Sequence, residues 1–276
     1  MTVINKYPFQ TKKRNKEFFK RKEQELTNLD WAKWAGWFDT DGCFTTQWNK
    51  KIKAYQLFVN LRLRDRQPVE LFSHMFETSL CYQEGTTITP DGKHYISKQF
   101  RAALSGPKAV WFTENLSPYL IKEAKREYAG TLLKDTVQSK DFNNWTKDEV
   151  TQYLATVIEG DGTIQLSCSE TSKSIAIAVS SNNTPYLANL VSIAASKLNL
   201  KSKFKKTKDY QTRRGTMTMY DLYINCSKKN PVNIDFFRSL LKYNVMTLDR
   251  KKEKIQEFIT WYDDDRAEKL RLENRV

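Results

Sequence analysis

Two aspartates stand at matching places in this chain. Asp41 lies in WAGWFDTDGCF, residues 34–44, and Asp161 in YLATVIEGDGTI, residues 153–164. Each follows an apolar run and precedes a glycine, with another acid two positions earlier, Asp39 or Glu159. A helix C-terminus disfavours negative charge, because the macrodipole is already negative there. Capping or solvation alone is therefore a poor account of two such ends. The chain offers only His74 and His94, and its cysteines, Cys43, Cys81, Cys168 and Cys226, form no CxxC pair. A zinc finger, a His-metal nuclease and a Ser-His-Asp hydrolase have too little material. Carboxylates working without histidine suit hard divalent cations, which take carboxylate, water and phosphate oxygens.

The flanking residues predict how each aspartate is held. Trp31, Trp34, Ala35 and Phe38 fall at i, i+3, i+4 and i+7, one face of a helix, and Val150, Leu154, Val157 and Ile158 do the corresponding work later. Thr146 to Glu149 reads as a capping box, and Thr27 to Asp30 as a weaker one. After Gly42, Phe44, Thr46 and Trp48 alternate with Thr45, Gln47 and Asn49. After Gly162, Ile164, Leu166 and Cys168 alternate with Gln165, Ser167 and Ser169. Period two marks strands with one packed and one polar face. Second strands follow at 55–64 and 174–180; in the first, Leu57, Val59, Leu61 and Leu63 point inward and Asn60, Arg62 and Arg64 outward. Helices come next, at 68–78 and 185–198. A second hairpin completes each half: 81–89 with 94–105, turning at Pro90-Asp-Gly92, and 202–208 with 216–226, turning near Arg213-Arg214-Gly215. Helical segments at 107–135 and 232–261 close the halves. The predicted order is α-β-β-α-β-β-α, twice: an α+β chain with pseudo-symmetric halves at 27–137 and 146–276, a polar linker at 138–145 and a basic arm at 1–26.

A chain of 276 residues suits one large domain or two of ordinary size, with a core that needs no disulfide or structural metal. Lys and Arg outnumber Asp and Glu by 46 to 32, a formal charge of +14. Such an excess opposes compaction by self-repulsion and points to a polyanionic partner, nucleic acid first. There is no transmembrane run and no apolar signal segment, so no membrane partner is expected. The expected setting is intracellular, an organelle matrix or a bacterial or phage cytoplasm, with the cysteines as small core residues in a reducing compartment.

Trp34-Ala-Gly-Trp-Phe-Asp-Thr-Asp-Gly42 and Leu154-Ala-Thr-Val-Ile-Glu-Gly-Asp-Gly162 resemble the two copies of the motif that names the LAGLIDADG homing endonucleases. The repeated element order matches that family's fold over nearly the whole chain. Copy one departs in its tryptophans at the first and fourth positions, and copy two in Thr156, where the family has a glycine that lets the paired helices approach closely. Local adjustment is expected at Thr156. The resemblance implies that the motif helices pair and bring Asp41 and Asp161 together. Two carboxylates about 5 Å apart repel by roughly 3 kcal/mol at an effective dielectric near 20. Divalent metal offsets that: Mg²⁺, with Mn²⁺ or Ca²⁺ able to replace it for binding. The resemblance also implies metal ligation by the backbone carbonyls of Thr40 and Gly160; Asp39 and Glu159, two residues earlier, read as structural or as supports behind the metal ligands. It implies a water-positioning residue at the end of the second strand, Asp65 in the first half and Ser181 or Asn182 in the second. A lysine near the start of each half's last helix completes the set: Lys122 or Lys125 in the first half, one place out of register, and Lys251 ahead of Lys254 in the second.

In that family each half's curved antiparallel sheet forms part of a saddle over the DNA major groove, and the outward residues read bases. Here those are Thr45, Gln47, Asn49, Asn60, Arg62, Arg64, Gln99 and Arg101 in the first half. In the second they are Gln165, Ser167, Ser169, Lys173, Lys203, Lys205, Arg213 and Arg214. Arg suits guanine, and Gln or Asn suits adenine, because each makes two hydrogen bonds to one base edge. The stretch 203–214 is the densest in basic residues and suits phosphates. The implied activity is that of a monomeric, intron-encoded, Mg²⁺-dependent endonuclease cutting double-stranded DNA at a long asymmetric target. The alternatives on the same fold are a maturase binding group I intron RNA and a catalytically silent DNA-binding regulator.

Overall fold

The apolar stripes of each half settle against one face of a sheet. The computed structural model describes residues 9–51, 53–88, 94–168, 172–212, 215–242 and 245–273. These divide after Lys140 into two units.

The first unit opens with α1 (Phe9–Glu25), so the described part of the basic arm is an ordered helix. Phe18 and Phe19 hold it on Trp111, with ring centroids 5.8 and 5.5 Å away. Then follow α2 (Asn28–Thr40), β1 (Cys43–Asn49), β2 (Ala54–Leu63), α3 (Arg66–Met75), β3 (Leu80–Ile88), β4 (His94–Ser105), α4 (Pro107–Leu116), a 3₁₀ turn (Ser117–Tyr119) and α5 (Glu123–Leu133). The second unit repeats the order: α6 (Lys147–Gly160), β5 (Gly162–Cys168), β6 (Lys173–Ser181), α7 (Thr184–Leu198), β7 (Ser202–Thr212), β8 (Gly215–Ser227), α8 (Ile234–Leu240) and α9 (Asp249–Glu273). Both sheets are antiparallel with equivalent orders, β1-β2-β4-β3 and β5-β6-β8-β7. The turn at Pro90-Asp-Gly92, and Ser169, Arg213 and Arg214, lie outside the described residues. Among the described residues no helix is long and apolar enough to cross a membrane.

Both capping boxes form. Thr27 and Asp30 cap α2, and Thr146 and Glu149 cap α6, each pair satisfying two backbone N–H groups reciprocally. The first core is aromatic: Phe38 lies 5.3 Å from Phe44 and 5.1 Å from Phe112, and Trp34 lies 5.1 Å from Phe72. The second is largely aliphatic, with Ile175, Ile177, Val179, Leu222 and Ile224 buried on the sheet. Thr156 is fully buried in an unbroken α6, and its hydroxyl donates to the carbonyl of Tyr153 at 2.9 Å. The polar linker is tied down at both ends. Lys140 N–H donates to Pro118 O at 2.8 Å, and Asp141 caps the 3₁₀ turn Phe142–Asn144.

Several expectations are corrected. Trp48 and Cys168 have the packed-face parity but are exposed, each at the far end of its strand; the Trp48 ring packs on Tyr55, at 5.2 Å. Cys43 and Cys81 are exposed as well, so only Cys226 is a core cysteine. Its burial pushes the thiol up to about 11. The outer hairpins also outrun their sheets. Strand β4 pairs with β2 only from Phe100 onward, and β8 pairs with β6 only from Tyr220 onward. Beyond those points β3–β4 and β7–β8 continue as two-stranded ribbons.

The glycine after each aspartate has a steric cause. A Cβ on Gly42 would stand 2.6 Å from Phe38 Cα, and one on Gly162 would stand 2.7 Å from Ile158 Cα and 2.5 Å from Ile158 O. The strand leaves by folding back over the last helical turn, and only a residue without a side chain fits. Gly162→Ala is expected to lower stability by about 1–3 kcal/mol through overpacking; an unchanged urea midpoint would contradict this account. A thiol reagent should label Cys43, Cys81 and Cys168 in the native protein and Cys226 only after unfolding, as counted by mass spectrometry.

Candidate active site and nucleic-acid face

Asp41 and Asp161 occupy the same backbone position. Each is the C-cap of its helix in right-handed conformation, with φ, ψ of −103°, −16° and −92°, −6°, and each donates its own N–H to the carbonyl four residues back. Asp41 is exposed and Asp161 half-buried, each at the point where the helix gives way to the sheet. Asp65 is brought to the same end of the first sheet. Strand β2 runs antiparallel to β1 with Asn60 opposite Cys43, and Asp65 follows as N-cap of α3. In the second half Ser181 is buried and accepts from Asn183 N–H at 3.1 Å, while Asn182 is exposed.

The acids two residues earlier each tie the motif helix to the start of the half's last helix. The Asp39 carboxylate accepts from the backbone N–H of Ile121 at 2.8 Å and of Lys122 at 3.3 Å, just ahead of α5. The Glu159 carboxylate accepts from Thr247 N–H and from Leu248 N–H, the latter at 2.5 Å, just ahead of α9. Lysines return the contact. Lys251 Nζ, buried, donates to the carbonyls of Ile158, Glu159 and Gly162, each at 2.6 Å. Lys125 Nζ donates to Phe38 O, to Thr40 O at 3.2 Å and to Gly42 O at 2.9 Å. Carboxylate meets the N–H-rich start of one helix, and ammonium meets the carbonyl-rich end of the other, the favourable sense for both dipoles.

This arrangement separates the lysine candidates. Lys125 is the counterpart of Lys251: each is the third residue of its helix, and each clamps the carbonyls around its aspartate. Lys122 precedes α5 and donates to Asp39 O at 2.8 Å, and Lys254 donates to Ile164 O at 3.1 Å. The signal was present in Glu123-Ala-Lys-Arg-Glu127 and Asp249-Arg-Lys-Lys-Glu253, which share acid-x-Lys-basic-Glu. Among the described residues no three His, Cys, Asp or Glu side chains cluster as a ready metal cage. What each half presents is one carboxylate beside backbone carbonyls, a set of hard oxygens.

The polar sheet faces hold most of the expected contact residues. In the first sheet Thr45, Gln47, Asn49, Asn60, Arg62, Gln99 and Arg101 share one face by strand register. They are linked: Asn60 Nδ2 donates to Thr45 Oγ1 at 3.5 Å, and Arg101 donates to Asn60 Oδ1 at 2.6 Å. Gln56 and Gln83 belong to the same face and were missed; Asn49 Nδ2 donates to Gln56 Oε1 at 2.8 Å, and Arg62 donates to Gln83 Oε1. Arg64 is exposed just past β2. In the second sheet Gln165, Ser167, Lys203 and Lys205 share the exposed face. Lys173 does not, which corrects that expectation. It has the parity of Ile175, Ile177 and Val179, and its Nζ lies 5.9 Å from the Trp261 ring of α9, on the helix side.

No protein-family profile and no curated protein matches the chain. Solved structures do. The LAGLIDADG meganuclease I-AabMI, bound to uncleaved DNA, aligns at 14% identity with a TM-score of 0.53, over 88% of this chain and 93% of its own. The LAGLIDADG homing endonuclease I-GzeII, in complex with its DNA target, aligns at 12% identity with a TM-score of 0.50, over 88% and 92%. What is shared at such identities is architecture: the two α-β-β-α-β-β-α units have the fold of the LAGLIDADG homing endonucleases.

Proposed function

We propose that the chain is a site-specific double-strand DNA endonuclease whose Asp41 and Asp161 act together on the scissile phosphates. The observation that carries this reading is the repetition of one local geometry. In both halves a carboxylate ends the motif helix, a lysine holds the neighbouring carbonyls, and a polar sheet face begins two residues later. A merely solvated helix end gives no reason for all three to recur.

Asp41, Asp161 and the carbonyls of Thr40 and Gly160 are hard oxygen donors, and they fit Mg²⁺, which is held by one or two carboxylates completed by water and phosphate. Bound Mg²⁺ supplies Lewis-acid stabilisation of the phosphoryl oxygens and lowers the pKa of bound water. The two aspartates fix the position of that chemistry, and Asp65 orients water at the first site. Lys125 and Lys251 act as positioning residues. Lys251 has three donors and three backbone acceptors, so its ammonium is committed to holding the helix end in shape. The outward residues of the sheets, with the lysines of β7, hold the duplex.

Presented with a randomised duplex library and Mg²⁺, the wild type is expected to cut one long asymmetric site. Asp41→Asn and Asp161→Asn should each abolish double-strand cutting while retaining binding in Ca²⁺. Wild-type binding without cutting in Mg²⁺ would overturn the nuclease reading in favour of a silent DNA-binding regulator, and selective retention of structured RNA would favour the maturase. The logarithm of the DNA association constant should fall with the logarithm of salt with a slope near −9 if roughly ten phosphates are neutralised. A slope near zero would remove DNA as the partner.

A further inference from the structure

Arg62 on β2 and Arg101 on β4 stand directly opposite each other on the polar face of the first sheet. Like charges so placed destabilise a strand pair unless something answers them. No acid does so: among the described residues neither arginine forms an ion pair, and the partners on this face are neutral amides. Arg101 directs Nε and Nη2 at Asn60 Oδ1, at 3.0 and 2.6 Å, and Arg62 directs Nη2 at Gln83 Oε1. These bonds fix the side chains without neutralising them. Of five N–H donors on each guanidinium, most stay uncommitted.

We propose that this arginine rung is the main specificity determinant of the first sheet and that it reads guanine at two neighbouring positions of the DNA half-site. The proposal rests on the DNA reading above. Guanine is the base whose major-groove edge offers two acceptors, N7 and O6, matched to the guanidinium fork. Phosphate is the competing acceptor, and two features weigh against it. The rung lies on the two central strands of the sheet, away from the edges and ribbon tips that a DNA backbone would pass. Each arginine is also buttressed by an amide, an orientation that a base edge needs and a phosphate, open to many approaches, does not.

The second sheet does not repeat the arginine rung. Its equivalent rung is Ser180 opposite Asp221, and Ser180 Oγ donates to Asp221 Oδ1 at 2.6 Å. A carboxylate has no donor for N7 or O6, so this rung of the second sheet does not offer the paired guanine contact.

The test is duplex selection in Ca²⁺ with the full chain, comparing wild type with Arg62→Ala, Arg101→Ala and Arg101→Lys. Wild type should enrich a pair of neighbouring guanines in one half of the site that the arginine variants lose. Each alanine variant should relax one of those positions, leave the rest of the site intact, and lose roughly tenfold to hundredfold in affinity for the wild-type site. Arg101→Lys keeps the charge and loses the fork, so it should relax its guanine while keeping the wild-type salt slope. Replacing those guanines with 7-deazaguanine should weaken wild type and leave the matching alanine variant unaffected. Unchanged guanine preference in the variants, or uniform loss over all sequences with a shallower salt slope, would overturn the proposal, the latter marking the arginines as phosphate ligands. If wild type itself enriches no duplex, the DNA reading beneath it fails instead, a result distinct from any confined to the variants.

Discussion

Each half is organised by a two-way electrostatic tie between the ends of two helices. The acid at 39 or 159 enters the N–H groups ahead of the half's last helix, and a lysine from that helix enters the carbonyls at the end of the motif helix. Such end groups have no intrahelical partner and are costly when buried unpaired. Pairing them across elements removes that cost at both ends at once. It also fixes the backbone at Asp41 and Asp161, residues whose own charge is unfavourable at a helix C-terminus. The tie therefore supports a local arrangement that the helix alone would resist.

The tie is common to both halves; the rest of the chemistry is not. An aromatic cluster fills the first core and aliphatic side chains fill much of the second, yet strand order and rung correspondence are kept. The exposed faces diverge further. Arg62 and Arg101 form a rung on the central strands of one sheet, while Ser180 and Asp221 form the matching rung of the other. A duplicated backbone with unlike faces suits the proposed recognition of an asymmetric duplex, because each half would then meet a different set of base edges.

Much of this was legible in the sequence, where local periodicity and local steric rules decide the outcome. Alternation after Gly42 and Gly162 predicted the strands, and the Thr-x-x-acid patterns predicted both helix starts. What escaped was decided by tertiary reach and register. Trp48 and Cys168 have inward parity, but whether a helix covers them depends on where the helix layer ends. Lys173 looked outward because the first residue of β6 was not known; pairing with Cys168 puts it on the helix side. Lys122 and Lys125 looked alike until the tie showed which one occupies the third place of its helix. The offset between the halves also grows from 120 residues at the aspartates to 126 at these lysines, so a fixed superposition loses the correspondence.

The outer hairpins have a consequence of their own. Past Phe100 and Tyr220 toward their tips, β4 and β8 keep only one neighbour each, and their side chains contribute little to either core. Sequence can drift in those ribbons at small cost to folding, whereas a change at Gly42 or Lys251 disturbs the helix ends. The two ribbons can therefore vary in length and composition while both cores and both helix ends stay as they are.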